Sequence, residues 1–99
     1  MESLLERVKN SIRISTNDFN NEINDLIKAG LEDLALAGIC NPEDNYNPFN
    51  KDNVPDLVAI AVITYVRINF GQPENYERLK RSYDEQKAQL RSCSKYTKF

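Results

Sequence analysis

The chain contains no histidine, and its two cysteines, Cys40 and Cys93, stand far apart in no spacing that suits a metal ion. The side chain that most readily carries protons at neutral pH is therefore missing. Glycine occurs only three times, at Gly30, Gly38 and Gly71, and no P-loop, Rossmann glycine pattern, nucleophile elbow or zinc-ligand set occurs. No charge of one sign dominates: 13 Lys+Arg against 15 Asp+Glu leave a net charge of −2, which argues against a nucleic-acid binder or a membrane-surface protein. The one long apolar run, residues 57–66, is too short to span a bilayer and is ended by Arg67. Met1-Glu2-Ser3-Leu4-Leu5-Glu6 has no basic region leading into an apolar stretch, so neither a signal nor a transit peptide is expected, and the thiols are expected to stay reduced in a cytoplasm. These absences leave catalysis almost nothing to stand on. No catalytic residue, cofactor or metal ligand is expected.

What is there reads as one helical domain. The 99 residues, 40% hydrophobic and 28% charged, have ordinary globular composition and suffice for one modest core. Asn53-Val54-Pro55-Asp56 can open a helix and Gly71 can close it; between them apolar residues face nearly every side, which predicts a buried central helix. Before it, Ser3-Leu4-Leu5-Glu6 offers a capping box to a short helix carrying Leu4, Leu5, Val8 and Ile12, and Ile14 is expected to pin the link that follows. Phe19, Ile23, Leu26, Ile27, Leu31 and Leu34 form the stripe of a second helix ended by Gly38. After Pro73, Tyr76, Leu79, Tyr83 and Leu90, with Gln86, form the weak seam of a fourth. The expected fold is all-α: a small four-helix bundle-like domain over residues 1–91, with helices at about 4–12, 18–37, 54–70 and 73–91, a long loop before the buried third helix, and a flexible tail over 92–99.

Candidate surfaces follow from what this core leaves over. Glu22, Asp25, Glu32 and Asp33 lie opposite the second helix's stripe, where they serve either as a solvated face or as a subunit interface; an acid–base or metal role needs an enclosed pocket. Residues 39–53 are rich in Asn and Pro and long for a compact domain, and lack the central Gly and terminal Glu of a calcium loop. Tyr46 and Phe49 there either fold back on the domain or contact a partner. Arg78, Lys80, Arg81, Lys87 and Arg91 on the fourth helix are interrupted by Glu77, Asp84 and Glu85, the mixed pattern of a surface helix rather than of a groove-reading one. The tail has no period, so removing residues 92–99 is expected to leave stability nearly unchanged; Lys95, Tyr96, Lys98 and Phe99 also suit a docking strip.

The charges are polarised along the chain. Residues 1–38 carry four Lys/Arg and seven Asp/Glu, residues 73–99 seven and four. Such ends can pair within one subunit, or present an acidic face to one neighbour and a basic face to the next.

Read as a series, the segments over residues 5–14, 18–34 with Ala37-Gly38-Ile39, Ala59-Ile60-Ala61-Val62-Ile63-Thr64-Tyr65-Val66-Arg67-Ile68-Asn69-Phe70-Gly71, and Tyr76-Glu77-Arg78-Leu79-Lys80-Arg81-Ser82-Tyr83-Asp84-Glu85-Gln86-Lys87 resemble the small head-tail connector (adaptor, head-completion) proteins of long-tailed bacteriophages and prophages. The resemblance rests on order, spacing and total length rather than on one diagnostic motif. It implies a non-enzymatic, all-helical subunit that forms a ring, usually of twelve in the virion, beneath the portal protein at the head–tail interface, after assembly in the host cytoplasm. Such a ring extends the DNA channel without sequence-specific binding and seats a stopper or tail-completion protein. By position it places Arg91, Lys95, Tyr96 and Phe99 against the portal or a neighbour, and the polarised charges make Glu22, Asp25, Glu32 and Asp33, with Arg78, Arg81 and Lys87, candidate inter-subunit faces. The Asn/Pro-rich stretch of residues 41–53 is longer than the family's usual link, so no role is carried over to it. The competing reading is a cytosolic helical protein-binding or regulatory module, monomeric or dimeric.

Overall fold

In a computed structural model, which describes residues 3–71, 74–93 and 96–97, the chain is all-helical. It contains α1 (Leu4–Ser11), α2 (Asn20–Leu36), α3 (Asp56–Asn69) and α4 (Tyr76–Arg91), with a 3₁₀ turn at Pro42–Asp44 inside the long loop. Among the described residues there is no strand, only two isolated bridges, Ile39 with Thr97 and Asn41 with Asn47.

Local chemistry accounts for most helix ends. Ser3 Oγ accepts the Glu6 N–H at 3.2 Å and starts α1. Beyond the end of α1, Arg13 sits at φ 60°, with its N–H on the Asn10 carbonyl and the Ile14 N–H on the Lys9 carbonyl. The same pair of bonds closes α2: Gly38 at φ 91° donates to the Ala35 carbonyl and Ile39 to that of Leu34. Leu34 and Ile39 are then both fully buried, which adds the apolar contact such an exit favours. Two details differ from expectation. Pro55, not Asn53, occupies the cap of α3, because its carbonyl takes the Ala59 N–H at 2.8 Å while Asn53 turns back onto Asn50. Ile14 is only half-buried, whereas Ile12 packs on the core; the link is tied instead by Lys9, whose ammonium donates to Asn17 Oδ1 at 3.0 Å.

The core gathers Leu4 and Val8 of α1, Ile23, Ile27, Leu31 and Leu34 of α2, Val58, Ala59, Ala61, Val62 and Val66 of α3, and Tyr83 and Leu90 of α4. α3 touches each of the other three helices. Where α3 meets α2, a Cβ on Gly30 would stand 3.0 Å from the Tyr65 ring, so the absent side chain makes room for that ring. Phe19 meets Phe70 edge-on at 5.7 Å, fastening the start of α2 to the end of α3. The Cα radius of gyration, 13.1 Å, matches the roughly 13 Å of a fully compact chain of about 100 residues.

α3 is nevertheless not enclosed on all sides. Leu57 is 57% exposed and Ile60 44%. The three neighbouring helices and the loop leave one side of α3 bare, and that side is apolar at Leu57 and Ile60.

The stretch expected to be loose also differs. Thr97 is buried and bridges Ile39, the Cys40 N–H donates to the Tyr96 carbonyl at 2.8 Å, and the Tyr96 ring meets buried Phe49 edge-on at 6.1 Å. Residues 96–97 therefore belong to the packed domain: Ile39 and Cys40, released from α2 by Gly38, offer them an extended edge. Lys95 and Phe99 lie outside the described residues.

Candidate functional site

The carboxylates of α2 divide into two groups. Glu22, Asp25 and Glu32 are exposed. Asp33 is half-buried and works within the subunit: its Oδ2 accepts the Tyr83 hydroxyl at 2.5 Å and the Lys87 ammonium at 3.3 Å, while that ammonium stands 5.0 Å from the centre of the Tyr83 ring. Tyr65 of α3 completes the cluster, its ring 5.6 Å from that of Tyr83. Burial, followed by the hydrogen bond and negative charge of Asp33, pushes the Tyr83 phenol far above its usual range; burial, then the charges of Asp33 and Glu32, also raises Tyr65. Asp33 and Lys87 thus satisfy each other across α2 and α4. The exposed faces reduce to Glu22, Asp25 and Glu32 on α2, and Arg78 and Arg81 on α4.

The long loop is an ordered turn. Asn41 Oδ1 accepts the Glu43 N–H at 3.0 Å, the Tyr46 N–H returns to the Asn41 carbonyl at 2.9 Å, and the Asn41 N–H donates to the Asn47 carbonyl at 2.9 Å. Asn45 and Tyr46 follow one another at φ 53° and 59°, the left-handed region that a bulky side chain enters at a cost of about 1–2 kcal/mol. That strained seat leaves the Tyr46 ring 44% exposed, whereas Phe49 is 6% exposed inside the domain. Of the two aromatics, Phe49 folds back and Tyr46 is available to a partner.

Arg91 is exposed at the end of α4. Tyr96, expected to dock outward with it, has its ring against Phe49 and its carbonyl on Cys40. Tyr76, placed in the seam of the fourth helix, is 43% exposed; Leu79, Tyr83 and Leu90 carry that contact.

The surface that sequence reasoning missed is the bare side of α3. The signal was present in its all-round apolarity, since a helix greasy on every side needs more cover than three neighbours provide. Beside this strip, a groove of about 530 Å³ runs between the start of α1 and the start of α3, lined by Leu4, Val54 and Ala59 together with Arg7 and Asp56, which pair at 3.6 Å. The groove is open, and Lys51 and Asp52 also line it. Among the described residues there is no cluster of three or more side chains fit to hold a metal ion, and no helix long and apolar enough to cross a membrane.

No curated protein and no solved structure matches the chain. A family model described as phage connector protein does match, over residues 4–97, from the first helix to the bridged Thr97. The chain belongs to the phage connector protein family.

Proposed function

We propose that this chain is a structural subunit that assembles as a ring, of twelve copies in the virion, beneath the portal at the head–tail interface. The ring forms in the host cytoplasm, extends the DNA channel and seats a stopper or tail-completion protein. The observation that carries this reading is the family match over nearly the whole chain. A closed ring needs a head-to-tail contact between two different faces of each copy. The exposed acids Glu22, Asp25 and Glu32 on one helix, and the exposed Arg78 and Arg81 on another, supply faces of opposite sign. A net charge of −2 suits a channel subunit that lets DNA slide rather than gripping its phosphates. Arg91 with Lys95 and Phe99 is the portal-facing segment in this reading, and Tyr46 a contact for a neighbouring component.

Native mass spectrometry across concentration, with and without portal protein, tests the proposal. A ring that forms on the portal supports it. A monomer that never associates with a portal at any concentration overturns it.

A further inference from the structure

The bare side of α3 carries a pattern that reads the same in both directions. Asp56, Ile60, Ile63 and Arg67 are spaced four, three and four residues apart. At 3.6 residues per turn they fall within about 60° of one another around the helix. Asp56 and Ile60 are exposed, and Ile63 and Arg67 half-buried. The midpoint between Asp56 and Arg67 is also the midpoint between Ile60 and Ile63. An identical helix laid antiparallel on this side therefore sets Ile60 against Ile63 of the second copy, and each Asp56 against the other copy's Arg67. The charged residues are about 16 Å apart along the axis, one at each end of the apolar pair.

Asp56 is open to such a partner: its contact with Arg7 is 3.6 Å long and leaves the side chain 91% exposed. Arg67 forms no ion pair with its own chain among the described residues. Burying Ile60 and the part of Ile63 left outside its own core from each copy supplies the apolar centre, and the crossed charges at the rim favour the antiparallel direction over the parallel one, which would oppose like charges.

We propose that this strip is the seat of a second copy of the same chain, giving a two-fold symmetric dimer through antiparallel α3 helices. The inference goes beyond the connector reading, since a two-fold contact pairs one face with itself whereas a ring joins two different faces. The dimer covers Ile60 and Leu57 in the free protein and must open if that side is needed in the virion.

Sedimentation equilibrium of the full-length chain without any partner, from micromolar to millimolar concentration, tests it, with far-UV circular dichroism as the control for folding. The expected result is a monomer–dimer equilibrium. Ile60→Asp, on an exposed site, abolishes the dimer while leaving helicity unchanged. Asp56→Arg and Arg67→Asp each weaken it about tenfold or more, because two attractive pairs become repulsive. Combining the two swaps restores affinity to within a few-fold of the original. A monomer throughout, a dimer indifferent to Ile60→Asp, or a double swap no tighter than the single ones overturns the proposal. If the dimer behaves as expected yet no ring forms on the portal, the ring reading fails alone.

Discussion

Arg13 takes the left-handed seat after α1 that Gly38 takes after α2, with the same two backbone bonds around it. A side chain in that seat costs about 1–2 kcal/mol, and glycine returns part of the gain through its freer unfolded chain. Arg13→Gly is therefore expected to stabilise the domain by about 0.5–1 kcal/mol, read as a rise in Tm. Tyr83 gives a second test. A phenol whose pKa is raised on folding contributes its full stability below its ordinary value of 10.0 and loses it as the pH climbs from there towards the folded value. Tm should fall above about pH 10, with Tyr65 adding to the slope. Tyr83→Phe should lower stability at neutral pH by about 2 kcal/mol, the scale of a hydrogen bond to a charged group. It should also flatten the alkaline decline; an unchanged slope would mean that another group drives it. Neither site was legible in the chain. Arg13 looked like part of a link because nothing local marks it for a positive φ, and Asp33 looked like surface charge because its partner lies 50 residues away.

At the scale of elements, the stripes of α1 and α2 stood plainly in the spacing of Leu4, Val8, Ile23, Ile27, Leu31 and Leu34, and the two glycine exits were where the chain turns. What spacing alone could not tell was which side of α3 would lack a neighbour, since Leu57 and Ile60 are as apolar as Val58 and Val62. That depends on how many helices pack around α3, not on α3 itself. Residues 96–97 differ from a loose tail for a related reason: they have no period of their own and are held by the backbone of Ile39 and Cys40 after Gly38. Phe49→Ala should cost about 3 kcal/mol in denaturant unfolding, because it empties a buried site that also receives Tyr96. Removing residues 94–99 should cost about 2 kcal/mol, one backbone bond plus part of the Tyr96 ring. A truncated chain as stable as the whole would restore the picture of a loose end.

For the whole molecule, polarised charge was the broadest signal in the chain, and the structure places it in two settings. Part is neutralised inside, where Asp33 and Lys87 join α2 to α4. Another part stands on the surface, Glu22, Asp25 and Glu32 on α2 and Arg78 and Arg81 on α4 among it. Salt should then act unevenly: contacts between copies made by the exposed charges weaken as ionic strength rises, while the half-buried pair and the apolar core respond little. Folding stability measured between 0.05 M and 0.5 M salt should thus change far less than any affinity between subunits.

The clasp between Phe49, Tyr96 and the Ile39–Thr97 bridge has a mechanical side. A partner that grasps the chain beyond Thr97 pulls, among the described residues, on the bridge to Ile39, the Tyr96 carbonyl's bond to Cys40 and the Tyr96–Phe49 ring contact. Ile39 and Cys40 pass that load to the end of α2, where the Ile39 N–H holds the Leu34 carbonyl, and to the loop that carries Tyr46. Tension at the end of the chain is thereby shared with a strained turn some fifty residues away in sequence.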